Sequence, residues 1–158
     1  KNIKLDKKNS NSYFLLGNAK LMQKKYSESL EAFSKATNIN PKFWQAINNK
    51  ALVYYELGFK DKAIKTWRKV IILESDPEPK LALAIALYAL NQDNQEAIEL
   101  AKEALRQNPN YFFQQFQEEQ LWGQKLQTAS LELFKNPKLK SVINTASANS
   151  SFTNEKEQ

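Results

Sequence analysis

The chain contains no cysteine and no histidine. Without cysteine there is no disulfide framework and no thiolate metal site. Without histidine the commonest general base and metal ligand is missing. A zinc site, a Ser-His-Asp triad and a Cys-His dyad are therefore excluded within this chain. No glycine-rich phosphate loop occurs, and no pair of carboxylates stands at a conspicuous spacing. The sequence thus nominates no catalytic residue, no metal and no cofactor, and the chain is expected not to be an enzyme. Glycine is scarce, with three residues in 158, and proline occurs five times. That scarcity, beside abundant Ala, Leu, Lys, Glu and Gln, favours helix throughout. Alternating Val/Ile/Thr runs are absent, so no strand is predicted. The longest uncharged apolar run is LALAIALYAL, ten residues at 81–90. A membrane span needs about 20, so none is expected in this fragment. The chain opens on Lys1 rather than Met, and is read as a fragment or a processed product. The lack of cysteine does not fix the compartment; cytoplasmic placement is the default expectation.

Arginine is also rare, with only Arg68 and Arg106 among 23 basic residues. The net charge of +6 is spread thinly. Lys1, Lys4, Lys7 and Lys8 against Asp6 leave +3 in the first ten residues. Residues 11–109 hold 14 basic and 11 acidic side chains, and residues 110–158 hold five of each. The body is mixed in sign, not a basic stripe, so no nucleic-acid partner is expected.

What is present is a period of 34 residues, with blocks at 10–43, 44–77 and 78–111 and no insertion between them. Large residues recur at the fourth place of each block: Tyr13, Ile47, Leu81. The eighth place holds Gly17, Ala51, Ile85, and the twentieth Ser29, Ala63, Ala97. The twenty-fourth holds Phe33, Trp67, Ala101, and the twenty-seventh Ala36, Val70, Ala104. Prolines close the first and third blocks at Pro41 and Pro109. Apolar spacings of three and four in each half predict two helices per block, each with one buried stripe. Small residues at the eighth and twentieth places let the two backbones approach. A single hairpin cannot bury its own face and must stack on a neighbour.

This pattern resembles the tetratricopeptide repeat family over residues 10–111. Tyr13, Leu16, Gly17, Tyr26, Phe33, Ala36 and Pro41 match in the first block. Tyr54, Gly58, Ala63 and Trp67 match in the second, and Tyr88, Ala97, Ala104 and Pro109 in the third. Lys20, Ser75 and Ile85 depart from it. The resemblance implies an all-α, right-handed superhelical solenoid of three antiparallel helix hairpins. It further implies that the first helix of each pair lines a concave groove where partner peptides lie. Carried over place by place, the groove residues are Asn11, Phe14, Asn18, Leu21 and Met22, then Gln45, Asn48, Asn49, Leu52 and Tyr55, then Ala82, Ala86 and Ala89. Some co-chaperones of the family grip the C-terminal carboxylate of a heat-shock protein with a clamp of lysine, arginine and asparagine. Asn18 and Asn49 fit that clamp, but Phe14, Pro79 and Leu83 occupy all three cationic places. A buried carboxylate needs charge-assisted partners, which argues against this function.

The expected organisation is a flexible basic tail at 1–9, repeats at 10–111, a C-terminal capping helix or helices at 112–145, and a disordered tail at 146–158. Apolar residues at 112, 116, 122, 126, 129 and 133 keep helical spacing, with Gly123 able to kink or split the helix. Asn136-Pro137 should end it near Lys135. Phe112, Phe116, Trp122 and Leu126 are the expected capping residues. The segment LWGQKLQTASLELFKNPKL is similar to tails that follow these repeats in some cyanobacterial proteins. LALAIALYAL must be covered on every side, by residues 112–134 of the chain or by a partner's amphipathic helix. The favoured cover is the chain's own. The expected function is a non-catalytic adaptor, scaffold or assembly factor that binds another protein's peptide or helix. The alternative is a scaffold that self-associates through its C-terminal aromatics or end helices.

Overall fold

The computed structural model describes residues 3–151, with side chains from residue 9 onward. The described residues form helices and no strand. They run α1 (Ile3–Met22), α2 (Tyr26–Ile39), α3 (Trp44–Glu56), α4 (Lys60–Leu73), α5 (Pro77–Leu90) and α6 (Gln95–Gln107). A 3-10 turn at Pro109–Phe112 leads to α7 (Gln114–Glu119) and α8 (Gln124–Phe134). A second 3-10 turn at Pro137–Leu139 precedes α9 (Lys140–Asn149). Helices pack in successive pairs, α1 on α2, α3 on α4 and α5 on α6, as in a helical solenoid. The chain divides into two compact units, one ending at Glu74 and one starting at Ser75.

In the first unit, close approach of α1 and α2 depends on small residues. A Cβ added at Gly17 would lie 2.5 Å from the ring of Phe33, which is fully buried. Ser29 Oγ donates to the Gly17 carbonyl at 2.8 Å, and Ser10 Oγ to that of Ala36 at 2.9 Å. Between α3 and α4, Ala51, Ala63, Trp67 and Val70 are fully enclosed. The turns inside both pairs use positive φ at the same repeat place, 59° at Lys24 and 88° at Gly58. Glycine carries such a conformation without a Cβ clash; lysine does not. The first helix starts at Ile3, inside the stretch expected as a flexible tail at 1–9. No proline or glycine precedes Gly17 to stop it, and Ser10 is anchored within it.

In the second unit, sequence punctuation sets the helix starts. Asp76 caps α5 by accepting from the Glu78 amide, with Pro77 at the first helical position. Asn94 caps α6 through the Ala97 amide. Two Asn-Pro pairs here make the same local turn as Asn40-Pro41 of the first unit: Asn108 and Asn136, like Asn40, each accept from the amide two residues on. The helix or helices expected after residue 111 take the form of a 3-10 turn, α7 and α8, with α7 and α8 separated at Leu121, whose φ is 69°. Gly123 stands immediately before α8, at the split foreseen there. α8 ends at Phe134, before Asn136-Pro137. The last helix runs to Asn149, past the tail boundary expected at 146. Ala146 and Ser150 are buried, and Ser150 Oγ bonds Asn110 Oδ1 at 2.6 Å. The rest of the expected tail, 152–158, lies outside the described residues.

Candidate partner-binding face

The residues foreseen as a groove fall into two sets in the first unit. Asn48, Asn49, Leu21, Leu52 and Tyr55 are buried, so for them the expectation of an open groove surface is corrected. The cause is local. Trp67 is wholly enclosed, so its indole N–H requires an acceptor. Asn48 Oδ1 supplies it at 3.1 Å, and Tyr55 lies beside the indole with ring centroids 6.0 Å apart. Burial, then the Glu56 carboxylate, raise the Tyr55 phenol above its ordinary range. The second set keeps access to solvent: Asn11, Met22 and Gln45 are exposed, and Phe14 and Asn18 half-buried. Phe14 rests on Phe43 and Phe33 at 4.8 and 6.0 Å.

The two sets are joined by a relay of amides. Trp67 Nε1 donates to Asn48 Oδ1, Asn48 Nδ2 to Asn49 Oδ1 at 3.2 Å, and Asn49 Nδ2 to Asn18 Oδ1 at 2.8 Å. Every donor points the same way, from α4 through α3 to α1. Such chains polarise one another. Asn18, half-buried on α1, ends the relay, and its Nδ2 is the amide donor left at that end. Chemically that end offers a strengthened N–H donor beside an aromatic ring and the flexible thioether of Met22, which is 70% exposed.

The second unit differs. From Pro79 to Tyr88 every residue of α5 is buried, including Ala82 and Ala86. Ala89 and Leu90, at its end, are exposed. α6 packs on α5, and so does α8. In the first unit the helix that follows a pair behaves otherwise: α3 packs chiefly on α2, the second helix of its pair. α8 instead chooses the first helix, α5, while α9 and the Pro109–Phe112 turn pack on α6. Trp122 Nε1 donates to Glu78 Oε1 at 2.9 Å, and Asn136 Nδ2 to Tyr88 Oη at 3.4 Å. These contacts tie the two ends of α8 to the two ends of α5, so the helices run alongside in the same direction. The foreseen capping residues Trp122 and Leu126 are buried, and Phe112 and Phe116 half-buried. Tyr111 anchors them, 4.8 Å from Phe116 and 5.7 Å from Trp122. Burial, then the Glu78 and Asp76 carboxylates, push its phenol far above the usual tyrosine range.

Sequence reasoning missed Lys80. It is 6% exposed, and its Nζ bonds Glu103 Oε1 at 2.8 Å, Ser75 Oγ at 2.9 Å and Gln107 Oε1 at 3.0 Å. Its place inside LALAIALYAL's helix, next to Pro79, was the available signal. Fully paired, it joins α5 to α6 and is not offered to a ligand. Among the described residues no group of His, Cys, Asp or Glu is placed to hold a metal ion. No described helix is long and apolar enough to cross a membrane.

A family model described as tetratricopeptide repeat matches residues 10–43. Residues 10–43 thus match one tetratricopeptide repeat, and the successive helix pairs are consistent with further repeats after it. Among curated proteins, Hsp70-Hsp90 organizing protein 1 of Glycine max is 29% identical over 94 residues, which are 60% of this chain. The matched stretch is 16% of that protein's length, so the likeness concerns one part of it. Both findings support a role in protein–protein interaction.

Proposed function

We propose that the chain is a non-catalytic adaptor that binds a partner's peptide or amphipathic helix along the open edge of α1 and α3. In the second unit α5 is packed on by α8. The observation that carries this is the amide relay ending at Asn18. It fixes a backbone-reading donor between Phe14 and Met22, where an incoming carbonyl accepts and its neighbouring side chains bury. The relative's name refers to organising two chaperones. Of the clamp that would grip a chaperone tail, this chain keeps only the two asparagines. Phe14 takes the first cationic place, and Pro79 and Leu83, at the other two, are buried. The ligand is therefore an internal or amphipathic segment read through its backbone and apolar side chains, not a free C-terminus.

The test selects binders to the full chain from a library of random dodecapeptides, then measures them against Asn18→Ala and Met22→Ala. One neutral hydrogen bond is worth about 0.5–1.5 kcal/mol. The expected loss for Asn18→Ala is thus roughly two- to tenfold in affinity, with unchanged circular dichroism. An Hsp90 C-terminal octapeptide should bind equally with a free or an amidated terminus. Peptides indifferent to both substitutions, or a strong preference for the free carboxylate, would overturn the reading.

A further inference from the structure

A second cleft opens in the first unit, on the opposite stripe of α3 from Asn48, Leu52 and Tyr55. It measures about 390 Å³ and lies among α2, α3 and α4, with Thr37, Pro41, Ile47, Tyr54 and Thr66 in its wall. Four lysines line it, Lys50 from α3 and Lys62, Lys65 and Lys69 from α4, and no carboxylate does. The α4 lysines stand at spacings of three and four, so they share one face along roughly 10 Å of helix. Among the described residues, Lys50, Lys65 and Lys69 form no ion pair; Lys62 lies over the rings of Tyr54 and Phe59 at 5.5 and 5.8 Å. Elsewhere the chain pairs its cations readily, as at Lys20, Lys35, Lys80, Lys102 and Lys135. The like charges act on one another. Partial burial, then Lys69 and Lys62, lower the Lys50 pKa from its ordinary value.

We propose that this cleft is a binding site for an acidic peptide segment of a partner protein, on a face separate from the Asn18 edge. A row of ammonium groups is complementary to a row of carboxylates spaced along an extended chain. Other anions fit less well. The hydroxyls of Thr37 and Thr66 already donate to the carbonyls of Ser34 and Lys62, at 3.1 and 2.7 Å. The backbone N–H groups around the cleft's middle are held within helices. No fixed donor cage therefore awaits a phosphate, only flexible point charges, which read charge more than shape. Nucleic acid would want a stacking platform, yet the Tyr54 and Phe59 rings are occupied by Lys62. Ile47 and Tyr54 give apolar contact to the side chains between the acids.

The test is fluorescence anisotropy of fluorescein-labelled hexaglutamate with the full chain at low salt, where such contacts are least screened. The probe should bind, and Lys65→Gln with Lys69→Gln should weaken it about tenfold. Lys35→Gln with Lys102→Gln, which removes the same net charge elsewhere, should change it less than about twofold. Asn18→Ala should leave it unchanged, which separates this site from the edge above. Circular dichroism checks that each variant is folded. No binding of hexaglutamate, or equal losses in both lysine pairs, would overturn the proposal. So would displacement of the probe by inorganic triphosphate or by a dodecathymidylate at lower concentration than unlabelled hexaglutamate requires.

Discussion

Phe33 sits where Gly17 leaves a gap in α1, and the fit has no slack. A methyl at residue 17 would meet three atoms of the Phe33 ring at 2.5–2.9 Å. That ring is fully enclosed and packs on Phe14, so it cannot swing aside cheaply. Overpacking of this kind costs about 1–3 kcal/mol. Alanine's better helix propensity returns roughly 1 kcal/mol of that. Gly17→Ala should therefore destabilise the chain by up to about 2 kcal/mol net, read as a lower urea midpoint at unchanged slope. A variant as stable as the parent would show that the α1–α2 spacing is free to relax. The close approach was legible in the sequence, because a small residue at the eighth place and a large aromatic at the twenty-fourth occur together in the first two blocks, Gly17 with Phe33 and Ala51 with Trp67. The amide relay was not. Asn48 and Tyr55 were assigned to an open groove by place alone. What buries them is the indole N–H of Trp67, whose need for an acceptor appears only once α4 is folded onto α3.

At the scale of the element, α5 explains α8. A helix with leucine or alanine on nearly every side gains nothing from facing water, and hydrophobic burial rewards any segment that covers it. α8 does so with Leu126 and Leu133, both essentially unexposed. Deleting a buried leucine side chain to alanine costs about 2–5 kcal/mol. Leu126→Ala should speed amide hydrogen exchange along residues 81–88 by at least roughly tenfold, since local opening of α5 then costs less. Leu131→Ala, on the exposed side of the same helix, should leave it unchanged. Equal effects from both would mean that α8 is not what protects α5. The need for a cover was legible in LALAIALYAL; the shape of the cover was legible only in part. Asn136-Pro137 announced the end of α8 and Gly123 the split before it. The stretch QQFQEEQL reads as continuous helix, and nothing in it foretells that Leu121 adopts positive φ. That conformation is imposed by tertiary packing: Gln117, wholly buried, donates to the Tyr111 carbonyl, and Trp122 turns inward to Glu78.

For the molecule as a whole, the missing histidine fixes the pH response. No side chain of ordinary pKa changes charge between about pH 6 and 8.5 when histidine and cysteine are absent. Unfolding free energy should be flat there, within about 0.5 kcal/mol. At higher pH two opposed effects begin. Lys50 has a lowered pKa in the folded chain. In the window below the ordinary lysine range the unfolded chain then holds more protons than the folded one, so this group makes stability rise with pH. Tyr26, Tyr55 and Tyr111 have raised values. Their contribution is present below the ordinary tyrosine pKa and is lost as pH climbs above it, because the unfolded chain ionises first. Lys50→Gln isolates the first effect. It relieves a desolvated charge facing Lys69 and Lys62, so its stability advantage over the parent should be largest near neutrality. The advantage should shrink as pH rises and Lys50 in the parent gives up its proton. Urea titrations of both proteins at steps from pH 7 to 10 measure that difference with the tyrosine effect common to each. A gap that stays constant or widens would mean the lysine cluster is already neutralised within the chain, and that no anion is needed to complete it.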